Sequence, residues 1–448
     1  MLNLIKEYKM MKAFKIFSMA AVAFMMVACS SEDTALDNTP VAGQKVHFTA
    51  TIAAPNSDAS TRTTYTEITS GTDAGKIKVA WEQGDEIALI HNGTKDVVTV
   101  QTLNAYGSAN ISGDITVGTD GEAVTILYHA ATVNAPASGA VPVEDATYAT
   151  KWNSQDGTLT YIQDYLDYCK ATSTLKVSGT KATLNDNISM ESTIAIFKFT
   201  IQDLSAADKT ATEFKVSYAF GNVIATVTPG SATGTLYVAL PVMAAGTYWF
   251  NATIDTKAYV AKATTTTTTT AGTYYQSTVK MATIGDVILE DGTFAARSST
   301  TGTIVAMIAY LGSETDHATY KHGLALALSD KGQMSWTDAT GASGAAAHTP
   351  AAPTTTSSWM LPSKDQWNNM IDACKNVLGT QNNYQDLRDG FSGISGASNL
   401  QSLSYSAYYW SSTEYDSGLA WGYGFGDGDW FYDYKINDFE RVRACLAF

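Results

Sequence analysis

The sequence predicts a mainly β chain with a smaller α+β region at its C-terminal end. Three observations predict it. Period-two alternation of apolar residues, the mark of half-buried strands, runs from Lys45 to about Thr283. Gly, Asn, Asp and Pro break these runs at short spacing, which favours antiparallel sandwiches over parallel α/β architecture. A single amphipathic helix with a full start signal follows Ser363.

The chain has 448 residues, room for about three domains at ~150 residues each. Only 16% of residues are Asp, Glu, Lys or Arg, and the formal net charge is -15. That balance excludes nucleic acid as a partner, because affinity for phosphate backbones comes from Lys and Arg displacing counterions.

Residues 1–29 read as an export signal rather than as part of the fold. Lys6, Lys9, Lys12 and Lys15 form a basic start, Ile16 to Ala28 an apolar run, and Met10 or Met11 is an alternative first residue. Val27-Ala28-Cys29 resembles a bacterial lipoprotein signal, in which cleavage leaves Cys29 as the lipidated first residue. An ordinary secretory signal that happens to end at a Cys is the alternative. No later run approaches the ~18 apolar residues of a transmembrane helix. Acyl chains on Cys29, palmitate among them, would then tether the protein to the outer membrane. Ser30 to Gln44 is polar, lacks Lys and Arg, and reads as a flexible tether. Its start, Cys29-Ser-Ser-Glu-Asp, resembles the acidic signal of surface-exposed outer-membrane lipoproteins.

Within the β region, Ile77, Val79 and Trp81 share one strand face. Phe197, Phe199 and Ile201 share another, as do Tyr248, Phe250, Ala252 and Ile254. Two late strands introduced by Ala-Gly-Thr-Tyr (Ala245–Tyr248 and Ala271–Tyr274) suggest a meander. The threonine run Thr264–Thr270 between them reads as strand or solvated loop. The composition changes at Ile284–Phe294. These signals divide the chain into a first sandwich over 45–178, a second over 179–283 and a third domain over 284–448. In the last, Ser363 and Gln366 form a capping box, Trp367, Met370, Ile371, Cys374 and Leu378 fall on one helical face, and Gly379 supplies the stop. Gly341–Thr356 reads as an internal loop.

Through Cys29, Ser60–Tyr65, Val79–Ile90 with Trp81 and Gly84-Asp85, Val124–Pro136, Asp164–Ala171 and Ile194–Ile201, the first half resembles the fimbrillin family of Gram-negative surface fimbriae. The resemblance covers about residues 45 to 283. It implies two transthyretin-like β-sandwiches that assemble with other fimbrial subunits when a neighbour's strand fills an open groove, a form of β-augmentation. In shaft fimbrillins, proteolysis after a basic residue opens that groove. Here the first basic residues after Cys29 are Lys45 and Arg62, and no shaft-type cleavage site is evident.

His322–Asp330, Trp336, Trp359–Trp367, Tyr409–Tyr415 and Arg441–Phe448 follow one another in the last third, and in that order they make it similar to the C-type-lectin-like fold shared by formylglycine-generating enzymes and by the variable proteins of diversity-generating retroelements. The enzymes' reactive cysteines are not reproduced by Cys169, Cys374 and Cys445, so no activity is carried over. A Cys374–Cys445 bridge and buried free thiols both remain open. The calcium loop of such lectins is missing, and Ile436–Phe439 only faintly echoes its strand. No metal or cofactor is expected.

Asp427-Gly428 is a two-residue hairpin signal for a type I′ turn, which needs positive φ at both positions. It would fold Ala420–Gly426 against Asp429–Tyr434, with Trp421, Tyr423 and Phe425 on one face and Gly422, Gly424 and Gly426 on the other. Trp410, Trp421, Phe425, Arg441 and Val442 read as scaffold. The ligand-binding positions are Gly422, Tyr423, Gly424, Gly426, Asp427, Asp429, Phe431, Tyr432, Asp433, Tyr434, Ile436, Asn437 and Asp438. In retroelement-diversified relatives, template adenines are mutagenised at Asn codons, and every one of these occupants is reachable that way. Tyr, Gly and Asp also suit adaptable recognition surfaces. The plainer reading is a soluble hairpin with cross-strand aromatic pairs.

The 6 histidines show no metal or protease spacing, and no nucleophile elbow, phosphate loop or dinucleotide fingerprint occurs. The expectation is a non-enzymatic, surface-exposed fimbrial lipoprotein, of the tip adhesin type, binding a protein or glycan on host or bacterial surfaces. A polymerising shaft subunit and a retroelement-diversified receptor outside any fimbria are the alternatives.

Overall fold

The computed structural model describes residues 43–53, 64–71, 76–117, 119–128, 150–218, 222–402 and 408–448. The expected export signal and lipidation position Cys29, most of the expected tether, Arg62 and His129–Pro136 lie outside these residues.

The first sheet has eight strands. Gln44–Ile52 runs antiparallel to Ala109–Val117 and meets Lys181–Leu184 in parallel at His47 and Phe48. Cys169–Ser178 pairs with Ala123–Tyr128 through its first half and with Lys181–Leu184 through its second. The sheet therefore closes on itself, and alternate residues such as Val46, Phe48 and Ile52 fill the interior with Trp81, Val98 and Ile111. Lys181–Leu184 and Glu191–Ser192, which follow residue 178, both hydrogen-bond within this sheet.

Gly84 and Asp85 make the turn after Trp81. Gly84 adopts φ +94°, a left-handed conformation that favours glycine. The buried Asp85 carboxylate accepts from the Glu82 N–H at 2.9 Å, the Gly84 N–H donates to Val100 O, and the Val100 N–H donates to Asp85 O. The Trp81 indole N–H donates to Ala53 O.

The second sheet has seven strands. Phe197, Phe199 and Ile201 meet Tyr248, Phe250, Ala252 and Ile254 in one core, as alternation predicts. Pairing is antiparallel except for Ile194–Asp203 against Tyr274–Thr283, which run parallel. The threonine run is divided: Thr264 and Thr265 end a strand, and Thr269 exchanges bonds with Met243 in the loop beyond.

Polar and apolar contacts join these sheets to their neighbours. Glu67, on a short strand paired with Ile77–Ala80, accepts from Lys198 Nζ at 2.6 Å and from the hydroxyls of Tyr237 and Tyr274 at 2.5 and 3.3 Å. Burial raises the Glu67 carboxyl, but the Lys198 and Tyr237 hydrogen bonds outweigh it and hold it below its usual value. On the opposite strand face from Phe250, Trp249 stacks on His322 with centroids 3.9 Å apart and packs near Phe448 and Phe294.

The C-terminal third contains two five-stranded sheets. One is built from Phe294–Ala295, Val287–Leu289, Ile304–Leu311, Gly323–Ala327 and Cys445–Ala447. The other takes Gly332–Gln333, Arg441–Val442, Tyr408–Glu414, Leu419–Gly424 and Trp430–Tyr434. Arg443 is fully buried: it donates to Asp330 Oδ1 at 2.7 Å and to Ala327 O, and lies over the Phe391 ring.

The Lys364–Cys374 helix begins with the full Ser363/Gln366 capping box. Its end differs from expectation: it stops at Cys374, short of Gly379, and Leu378 lies outside it. The reason is Asp386, a buried carboxylate that takes the backbone N–H groups of Asn376, Gln381 and Asn382 at 2.8–3.0 Å. Gly379 serves instead as room for that carboxylate, which a Cβ there would overlap. Cys169, Cys374 and Cys445 are all buried and free, so no Cys374–Cys445 bridge forms.

Candidate ligand-binding face

The last hairpin pairs Leu419–Gly424 with Trp430–Tyr434 in the register Tyr423↔Trp430 and Trp421↔Tyr432. This corrects the expected two-residue turn at Asp427-Gly428. The Gly424 N–H donates to Asp429 O, and Gly428 N–H returns to Gly424 O, so four residues, Phe425–Gly428, form the loop. Only Gly428 has positive φ there. The physical cause is Phe425, whose fully buried ring sits edge-on to Trp367, Tyr409 and Tyr423 and so leaves the ladder.

Three of the expected binding positions belong to the framework. Tyr423 is 6% exposed, packs against Trp430, and donates its hydroxyl proton to Gly428 O at 2.9 Å. Burial pushes that hydroxyl well above the usual tyrosine value. Gly422 and Gly424 are buried too. A Cβ at Gly422 would overlap the Phe431 ring, and one at Gly424 would come 2.8 Å from Tyr408. The scaffold residues Trp410, Phe425 and Val442 are fully buried, while Trp421 and Arg441 are half-buried.

The remaining positions divide by exposure. Gly426, Asp427, Asp429 and Asp438 are exposed, and Phe431, Asp433 and Asn437 half-buried. Tyr432 is 52% exposed, Tyr434 62% and Ile436 84%. Tyr415 at 48% and Phe439 at 64% join them, and sequence reasoning missed both. Tyr415 opens the loop between the Tyr408–Glu414 and Leu419–Gly424 strands, and that loop position was the available signal. Every exposed large hydrophobic residue among those described beyond Val242 lies between Tyr415 and Phe439.

The rings are ordered. Tyr415 and Tyr432 stack 4.3 Å apart, and Trp421 stands edge-on to both. Lys364, the first residue of the helix, places its ammonium 3.3 Å from the Trp421 ring centroid. Trp430 donates its indole proton to Asn368 on the same helix. A capped helix thus braces the outermost strand.

Beneath the rim, Asp433 accepts from the Tyr434 N–H and the Asn437 amide at 2.7 and 2.8 Å. Burial raises Asp433, but hydrogen bonds from Glu440, Asn437 and Tyr434 hold it below its ordinary value. Glu440, which sequence reasoning also missed, is pushed up to about 7 by burial first and by Asp433 second. Among the described residues no cluster of three or more His, Cys, Asp or Glu is placed to hold a metal.

No protein-family model matches the chain, and no curated protein does. Among solved structures, a fimbrial protein from Bacteroides ovatus is 12% identical with a TM-score of 0.27, over 91% of this chain and 100% of that one. A fimbrial assembly protein from Parabacteroides distasonis is 12% identical with a TM-score of 0.27, over 52% and 90%. The tip fimbrial protein Mfa3 from Porphyromonas gingivalis, C-terminally truncated, is 8% identical with a TM-score of 0.23, over 49% and 81%. Likenesses of this degree leave the function to be argued from the chain's own residues.

Proposed function

We propose that this chain is a surface-exposed fimbrial adhesin of the tip type, anchored through Cys29, with two β-sandwiches as a spacer and a lectin-like C-terminal region that binds its ligand. The observation that carries this reading is the gathering of Tyr415, Tyr432, Tyr434, Ile436 and Phe439 on one braced hairpin and its flanking loops. Exposed apolar residues concentrated at one place, rimmed by carboxylates, mark an interaction site. The binding positions are Tyr432, Tyr434, Ile436 and Tyr415, with Asp427, Asp429, Asp438, Asn437, Gly426 and the half-buried Phe431 and Asp433 around them. Retroelement diversification acts on this reading at the exposed positions, since change at Gly422, Tyr423 or Gly424 would disturb the core.

Other fimbrial subunits are the proposed assembly partners. Gln44–Ile52 is flanked on both sides by strands and buries Val46, Phe48 and Ile52. Release of this strand would leave a groove with pockets at alternate positions, the shape that donor-strand addition fills. Lys45 lies inside the strand and Arg62 follows it, so a cut after Arg62 would free the whole strand together with Cys29, and the lipid would anchor the chain only until that cut. Cys445–Ala447 is itself held in a sheet between Gly323–Ala327 and a bridge to Met360. That stretch is not a free donor, which favours the tip role over the shaft role. We assign no catalysis: burial pushes the Cys374 and Cys445 thiols up, away from the reactive thiolate.

Immunogold microscopy with an antibody to the last hairpin tests the placement. The proposal expects gold at fibre ends; gold spaced along fibres, or confined to the envelope, would overturn it.

A further inference from the structure

The strand Trp430–Tyr434 is the last of its sheet, paired with Leu419–Gly424 on one side and with no other strand among the described residues. Its bonding pattern fixes which backbone groups face out. Gly424 N–H donates to Asp429 O, and Lys435 N–H to Gly418 O. Antiparallel bonding alternates, so Phe431 and Asp433 face the neighbour and Trp430, Tyr432 and Tyr434 point their N–H and C=O outward. Tyr434 is already engaged locally, through Asp433 and Asn437. Trp430 and Tyr432 therefore form the open edge.

Natural sheets protect such edges with Lys, Pro, bulges or a covering element. Trp430-Phe431-Tyr432-Asp433-Tyr434 has no Lys or Pro, its pairing shows no bulge, and four of its residues are aromatic. The sequence around it is acidic, and the Lys364 ammonium, which lies close to the strand, sits over the Trp421 and Trp430 rings, 4.9 Å from the centroid of the latter. Lys435 is the only basic residue between Ser411 and Glu440, and its ammonium is taken by Glu414 at 3.3 Å and by the carbonyls of Asp416 and Ser417. Asp427 and Asp429 at one end of the strand and Asp438 beyond the other are exposed, and none of them forms an ion pair among the described residues.

We infer that this edge receives an extended, Lys- or Arg-bearing segment of a partner protein as an added β-strand. Main-chain bonds to Trp430 and Tyr432 supply the docking, and the carboxylates select the cationic side chains. A glycan is disfavoured by the same geometry, because the Lys364 ammonium covers one face of Trp421 and Tyr415 and Tyr432 cover one another.

This inference rests on the adhesin reading, and its test separates the two. The full chain is titrated with a fluorescent octapeptide of alternating Thr and Lys, with its Thr-Glu counterpart, and with a backbone N-methylated Thr-Lys peptide. The expected result is saturable binding of the first, with both others weaker by about tenfold or more. Tyr432→Pro removes the outward N–H without touching a ladder bond, as edge strands tolerate. It should weaken binding about tenfold, whereas Tyr432→Ala, which keeps the N–H, should weaken it only about threefold. Equal effects of the two substitutions, equal binding of the N-methylated peptide, or no saturable binding of the Thr-Lys peptide would overturn the inference. Should Tyr432→Pro unfold the hairpin, the N-methylated peptide against the unaltered chain decides. Peptide binding lost while cells are still bound in a Tyr434-dependent way defeats the edge and spares the adhesin.

Discussion

The ring of Phe431 lies on the bare backbone of Gly422, directly across the last hairpin, in the place a Cβ would occupy. Gly422 does not have positive φ, so the demand is for space and not for backbone freedom. Gly422 and, under the Tyr384 ring, Gly428 are thus floor on which rings lie. Gly422→Val should destabilise the hairpin by about 1–3 kcal/mol through overpacking. Denaturant unfolding followed by tryptophan fluorescence checks it; an unchanged midpoint would contradict the packing.

Trp249 crosses from the second sheet to His322 and Phe448, so it ties that sheet to the C-terminal third. Trp249→Ala should cost about 3–5 kcal/mol. Calorimetry should then show the C-terminal third melting separately, where the unaltered chain melts it together with the second sheet.

Glu67 has its carboxyl held below the usual value of 4.5. A lowered folded value means the stabilisation is present above the unfolded value and is lost as pH falls through the folded one. The melting temperature should fall below about pH 4.5, and Glu67→Gln should flatten that limb.

Glu440 has the opposite sign. Its folded value near 7 exceeds the ordinary 4.5, so the folded state holds a proton that the unfolded state has released. Stability should fall as pH rises from 4.5 to about 7, by at most about 3 kcal/mol. Glu440→Gln should keep the hairpin stable at pH 8, read as protection of its backbone amides in hydrogen exchange.

Much of the fold was legible because burial writes itself into alternation. Phe197, Phe199 and Ile201, and Tyr248 to Ile254, sit where period two puts them. Ser363 and Gln366 announced their helix because a capping box is a local device. The helix end was only partly local: Asn376 turns left-handed just after it, and Asp386, a residue of the next helix, holds that turn and the loop beyond through three backbone N–H groups. The turn was misplaced for a similar reason, since Asp-Gly is a strong signal on its own but the burial of Phe425 is stronger. Among the expected binding positions, Tyr432, Tyr434 and Ile436 are exposed. Tyr423 is not, because alternation names a face without telling how far along it the helix Lys364–Cys374 reaches: Tyr423 lies against Trp430, which that helix holds, while Tyr432 and Tyr434 lie farther along the same face. The motif His322–Asp330 was legible as a pattern, yet its ends act far away in sequence, His322 on Trp249 and Asp330 on Arg443.

The most direct test of the central claim compares two sets of exposed aromatics on the intact chain. One variant replaces Tyr432, Tyr434 and Ile436 with Ala; the other replaces Tyr165 and Tyr218, which are also exposed but lie outside the C-terminal third. Both should keep the melting temperature within about 2 °C of the unaltered chain, as surface changes do. In a panel of host and bacterial cells, the first should lose binding by about tenfold or more and the second should bind as the unaltered chain does. Equal binding by all three proteins, or equal loss in both variants, would contradict the assignment of recognition to the last hairpin.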